Sequence, residues 1–282
     1  MIGELVNVLT EDKVYLDGLF TASEHAPSTD IDAAILVHGL SGNFYKSRLL
    51  KHFANVLNSI GISTVLINTR GHDYLNSTQR MGRASTLGAA VEIIDECKHD
   101  LFAWCEFLKS RQRDQLMLLG HSLGGIKSLY AQAHLPHENV KRVAALSATK
   151  LSYDSLMGSS GGDKFAYWLN RAQMMVAEGK GEELMFVTFP FATWMSAIAY
   201  LAKYGDGDKN NWMNFMNQIS IPVFAAFGQR ELEHNPAFSA MKQDLANVDQ
   251  PNFTIDIVPN ADHFYSACFD EASNRLLNWL KI

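Results

Sequence analysis

Leu116-Met117-Leu118-Leu119-Gly120-His121-Ser122-Leu123-Gly124-Gly125 is the stretch on which the reading of this 282-residue chain turns. The apolar run Leu116 to Gly120 reads as a buried strand, and the helix-period run from Gly124 to His134 reads as a helix. Ser122 stands at the junction. With Gly120 and Gly124 on either side, the backbone can make a turn too tight for side chains there. Such a turn lifts the hydroxyl above the sheet edge, next to a helix N-terminus that favours negative charge. The Gly-x-Ser-x-Gly pattern alone is weak; strand, turn and helix in that order make Ser122 a candidate nucleophile.

The same rhythm continues outward. Apolar runs recur at Ala33 to Val37, Thr64 to Asn68, Val143 to Leu146, Val223 to Phe227 and Phe253 to Val258. Helix-period stretches lie between or after them at Ser47 to Ile60, Ile93 to Ser110, Pro236 to Asn247 and Ala267 to Lys281. This alternation predicts βαβ crossovers, hence an α/β fold with a mostly parallel sheet and helices on both faces. Glu4 to Leu9 and Lys13 to Thr21, separated by Glu11-Asp12, predict an antiparallel hairpin at the sheet edge. From Leu151 to Ile219 the rhythm breaks: glycines punctuate helix-period pieces with no strand-like run between them. The expected organisation is a core of residues 1–150 and 220–282 with a helical cap inserted at 151–219.

A serine hydroxyl barely ionises at neutral pH, so it needs a base within hydrogen-bond reach and an acid to orient that base. In a strand–turn–helix site of this kind the chain order is nucleophile, acid, base. His263, in Pro259-Asn260-Ala261-Asp262-His263-Phe264, follows the last expected strand, where a loop can carry an imidazole over the sheet edge. Glu231, just past Val223 to Phe227, is the first choice of acid, with Glu233, Asp262 and Asp154 as the other carboxylates in range. Acyl transfer also needs donors for the developing oxyanion. The residue after the nucleophile supplies one, the backbone N–H of Leu123; the glycine-rich turn His38-Gly39-Leu40-Ser41-Gly42 offers the second, the N–H of Leu40.

His38-Gly39, Asn68-Thr69-Arg70-Gly71-His72, the Gly120 to Gly125 elbow, the Gly228 to Glu231 turn and Asp262-His263 together resemble the α/β-hydrolase superfamily, in an order and spacing that span most of the chain. The resemblance implies a sheet of about eight strands, a cap after the sixth, no cofactor, and hydrolysis of a carboxylic ester or related acyl bond through an acyl-enzyme on Ser122. Within the superfamily the chain looks most like cap-bearing esterases, and more loosely like a group that includes fungal siderophore-ester hydrolases. Two positions depart from the pattern: Glu231 where many relatives have Asp, and Asn68 where an acidic residue is common. Arg70 and His72 read as braces of their loop. Thioester cleavage and carbon–carbon bond hydrolysis fit the same three side chains, and a hydrolase scaffold can also serve as a non-catalytic ligand receptor.

The bulk composition narrows the partners. Net charge is −6 without any run of basic residues, which argues against nucleic acid. No apolar stretch approaches the ~20 residues of a membrane span, and Met1 to Leu9 lacks a basic cluster. Cys97, Cys105 and Cys268 are odd in number and lack metal-knuckle spacing, so no metal site is expected, and a reducing, cytoplasmic setting is. Between 165 and 204 the insertion is dense in aromatic and methionine side chains, among them Phe165, Trp168, Met185, Phe191 and Trp194. That density predicts an apolar roof over the serine and a small-molecule substrate with a hydrophobic portion.

Overall fold

The computed structural model describes residues 3–80, 83–238 and 241–281. At its centre lie eight strands: β1 (Glu4–Leu9), β2 (Tyr15–Thr21), β3 (Ala33–Val37), β4 (Ser63–Ile67), β5 (Leu116–His121), β6 (Val140–Leu146), β7 (Val223–Gly228) and β8 (Phe253–Val258). They form one sheet in the order β1-β2-β4-β3-β5-β6-β7-β8. Only β2 runs against its neighbours, pairing antiparallel with both β1 and β4; the other pairs are parallel. This is the α/β fold with an antiparallel edge that the alternation predicts.

Every residue of β3 and β5 is buried. Both faces of a central parallel strand are covered, so its residues alternate between two apolar layers. Ala33, Ile35 and Val37 pack with α2 (Cys97–Ser110) and α3 (Leu123–His134) through Trp104, Ile126 and Leu129. Ala34 and Leu36 pack with α1 (Arg48–Ser59) and α8 (Phe269–Leu280) through Phe53, Leu57 and Trp279. Each such large apolar side chain, fully buried, contributes about 1.5–3 kcal/mol. The α1 helix starts where Ser47 accepts a hydrogen bond from the Leu50 N–H, a side-chain N-cap.

The segment after β6 departs from the all-helical expectation. It holds α4 (Tyr153–Met157), α5 (Gly162–Ala177) and α6 (Ala197–Tyr204), but between α5 and α6 it forms an antiparallel hairpin, Leu184–Val187 with Thr193–Ser196. In Leu184-Met185-Phe186-Val187 exposed and buried residues alternate, the period of a strand. Four residues carry too little of that period to stand out among apolar neighbours, and the sequence reading missed it. The insertion has its own apolar cluster, with Phe165, Leu169, Met185, Met195 and Tyr200 at its centre. The chain rejoins the main core at Trp212, whose indole N–H donates to the Ala148 carbonyl at 3.1 Å. A second hairpin, Asn76–Arg80 with Arg83–Leu87, follows β4 at a place where the sequence reading assigns no element.

Candidate active site

The turn from β5 into α3 brings three backbone segments together. A Cβ on Gly120 would lie 2.1 Å from the Gly124 carbonyl oxygen, and one on Gly124 would lie 2.3 Å from that of Val37, at the end of β3. One on Gly39 would stand 3.1 Å from the Ser122 Cβ. Only glycine fits the first two positions, so the spacing of the motif is a steric requirement. Ser122 itself sits at φ +56°, ψ −125°, a region that costs a residue with a side chain of the order of 1–3 kcal/mol. Hydrogen bonds hold it there, from its N–H to the Leu146 carbonyl at 2.8 Å and from the Gly125 N–H to its own carbonyl at 2.9 Å.

The loop between β8 and α8 places the His263 Nε2 3.1 Å from the Ser122 Oγ. Two groups hold that loop. Asp262 accepts from the backbone N–H groups of Phe264 and Ser266 at 2.9 and 3.0 Å. Burial opposes its charge, but these bonds prevail and keep its carboxyl below the ordinary range. His121, beside the serine, donates from Nε2 to the His263 carbonyl at 2.7 Å. Burial, reinforced by the nearby His263, lowers His121 to about 4, so its ring is neutral at physiological pH.

Glu231 enters from α7 (Gln229–His234) and is 2% exposed. Its Oε2 accepts from His263 Nδ1 at 2.7 Å. Its Oε1 accepts from the Gly228 N–H and the Ser147 hydroxyl, both at 2.6 Å. Tyr265, whose hydroxyl lies 3.0 Å from the Ser147 Oγ, donates to the Ala226 carbonyl at 2.9 Å and closes the far side. The structure thus brings Ser122, His263 and Glu231 into one chain of hydrogen bonds. It leaves Glu233 and Asp154 exposed, the former bonded to Gln229, and gives Asp262 to the loop.

His38 and Gly39 end β3 directly under the serine. The His38 Nδ1 donates to the Gly39 carbonyl at 2.8 Å, and its Nε2 accepts from the Thr69 N–H at 3.1 Å. Burial, helped by Lys127, lowers its pKa to about 3, so a neutral ring braces the turn that presents Leu40. Leu123 is the first residue of α3, and an N–H at that position has no partner within its helix. Behind this turn the sequence reading missed a buried charged cluster. Lys127 on α3, 1% exposed, pairs with Glu92 and donates to the Thr69 hydroxyl at 2.9 Å. The available signal was a lysine inside a helix whose neighbours on all sides are apolar or small. Arg70 is also a structural ion: buried, it donates to Asp100 from Nε at 2.9 Å and from Nη2 at 2.8 Å.

A cleft of about 570 Å³ opens over Ser122, lined among others by Leu40, His121, His263, Phe264 and Phe269. None of the residues lining it belongs to 151–219. Among the described residues no group of three or more His, Cys, Asp or Glu side chains is placed to hold a metal ion, and no helix is long and apolar enough to cross a membrane.

A family model described as serine aminopeptidase, S33, matches residues 31–183. No curated protein sequence matches the chain. Among solved structures, the alpha/beta hydrolase GrgF from Penicillium sp. sh18 is similar over 100% of this chain and 98% of its own, with a TM-score of 0.72 at 18% identity. Est1E from Butyrivibrio proteoclasticus, with ferulic acid bound, is similar over 98% and 97%, with a TM-score of 0.69 at 14% identity. An esterase of Pyrococcus furiosus is similar over 99% and 91%, with a TM-score of 0.64 at 18% identity. At these identities the likeness is one of fold.

Proposed function

The chain belongs to the serine aminopeptidase, S33, family of α/β hydrolases, and from that premise we propose that it is a serine hydrolase that cleaves a carboxylic ester or a closely related acyl bond. The observation that carries the reading is the Ser122–His263–Glu231 relay, 3.1 and 2.7 Å long, at a serine held in a strained turn.

In this mechanism the Ser122 Oγ attacks the substrate carbonyl while the His263 Nε2 takes its proton. Glu231, already fixed by Gly228 and Ser147, keeps the imidazole in the Nδ1–H tautomer and balances the imidazolium. The N–H groups of Leu40 and Leu123 hold the oxyanion as it forms. The tetrahedral intermediate collapses, the carbon–oxygen bond to the alcohol breaks, and His263 returns its proton to the departing oxygen. Water then attacks the acyl-enzyme, giving its proton to His263, and the carboxylic acid leaves as Ser122 regains a proton.

The insertion, from residue 151 to the return to the main core at Trp212, acts in this reading as a cap that borders the Leu40 loop beside the serine cleft. Hydrolysis of p-nitrophenyl esters of graded acyl length tests the reading. Wild type turns over, and Ser122→Ala and His263→Ala each lose about 10⁴-fold or more in kcat. Wild-type activity that survives in folded Ser122→Ala would overturn it. A small fluorophosphonate that labels wild type but not Ser122→Ala separates a hydrolase from a receptor built on the same scaffold.

A further inference from the structure

A second, smaller pocket of about 70 Å³ shares Leu40 with the serine cleft. Leu40 lines both spaces; Ser41, Tyr74, Thr193, Trp194 and Lys203 complete most of the smaller one. Its outer wall is the hairpin of the insertion, fastened to the core at two places. The Tyr74 hydroxyl bonds to the Thr193 hydroxyl and the Trp194 backbone, and the Ser196 N–H donates to the Ala90 carbonyl at 2.8 Å. Two of the apolar side chains expected to roof the serine, Phe191 and Trp194, line this pocket instead.

Lys203, on α6, is 6% exposed, and its ammonium nitrogen has no hydrogen-bond partner among the described residues. The charged groups that act on it are Glu92 and Lys127. Glu92 is already paired with Lys127, so two buried ammonium groups share one carboxylate. Burial lowers Lys203 to about 8, with Lys127 adding to the shift and Glu92 opposing it; at neutral pH it remains mostly cationic. A buried cation lacking an acceptor is unfavourable unless a partner arrives. The sign of the surplus charge suits an anion and opposes the free ammonium of a peptide N-terminus.

We propose that this pocket receives a carboxylate of the substrate, with Lys203 as its counter-charge. The inference rests on Ser122 as nucleophile, because Leu40 lines both the pocket and the cleft where the scissile carbonyl sits. The pocket is large enough for a carboxylate and too small for the bulk of a substrate, which stays in the cleft. The preferred substrates are therefore esters with a carboxylate a few bonds from the reacting carbonyl, in either the acyl or the alcohol part.

Two pairs that exchange a terminal carboxylate for a methyl tell the two parts apart, with acid release followed in a pH-stat: monoethyl glutarate against ethyl valerate, and 4-acetoxybutanoate against butyl acetate. Wild type is expected to favour the charged member of one pair by at least ~10-fold in kcat/KM, the range of a hydrogen bond to a charged group. Lys203→Met and Lys203→Gln should shrink that ratio at least ~10-fold, and in wild type it should fade as pH rises through 8. Serine-dependent turnover with no charge preference, or a preference untouched in both Lys203 variants, overturns the inference and leaves the hydrolase reading standing. If wild type is inert on all four esters, the hydrolase reading loses support and glutarate titration decides the inference alone. Binding to Ser122→Ala that weakens at least ~10-fold when Lys203→Met is added supports the pocket; equal binding or none overturns it.

Discussion

The two buried polar clusters, one around Glu231 and one around Glu92, are built by opposite rules. Around Glu231 the carboxylate has three donors and the His263 ring bonds through both nitrogens. Around Glu92 one buried lysine, Lys127, pairs with the carboxylate, while a second, Lys203, feels its charge but has no acceptor. A fully satisfied buried network holds a single geometry, whereas a partly satisfied one carries a standing cost. The first arrangement suits groups that must be in place before a substrate arrives. The second suits a group whose partner is not part of the protein.

Substitutions on each side should respond differently. The largest effect is expected at Glu231→Gln: the amide leaves the site's shape intact but no longer enforces the Nδ1–H tautomer, and kcat should fall about 10⁴-fold with little change in melting temperature. Next comes Glu92→Gln, which strands two buried cations and should lower the unfolding free energy by about 3–5 kcal/mol in denaturant titration. Lys203→Met should act in the other direction, raising stability at pH 7 by up to about 3 kcal/mol. The folded pKa of Lys203, about 8, lies below its ordinary 10.5, so the folded state bears the full penalty below pH 8 and loses it as pH climbs to 10.5. The advantage of the variant should vanish over that window; an advantage independent of pH would assign the effect to packing. The smallest change is expected at Ser147→Ala. Glu231 keeps the Gly228 N–H, so kcat should drop less than about 10-fold and stability by about 1 kcal/mol.

The first cluster was largely legible in the sequence and the second was not. The glycines at 120 and 124 announce a steric constraint that few other turns impose, and the order of Ser122, Glu231 and His263 follows from where parallel strands end. Choosing Glu231 over Glu233 rests on facing: the two lie two residues apart on a helix, and only Glu231 points inward, to Gly228 and His263. Lys203 offers no such cue. It stands near the end of a short helix, where a lysine is usually solvated, and its burial arises only when α6 folds onto Glu92 and Ala89 from elsewhere in the chain. The hairpin at 184–196 escaped for a similar reason, since a four-residue strand draws its stability from its pairing and not from its own composition.

The crossing of backbones at Gly39, Gly120 and Gly124 bears on how such a protein changes over generations. Mutation cannot place a side chain at 120 or 124 without driving atoms to within 2.3 Å of each other, so the turn that carries Ser122 is closed to substitution at these two positions. Trp194 and Lys203 line the smaller space beside it, where no such backbone crossing holds them. Diet, in such a lineage, can be revised one residue at a time while the chemistry stays as it was.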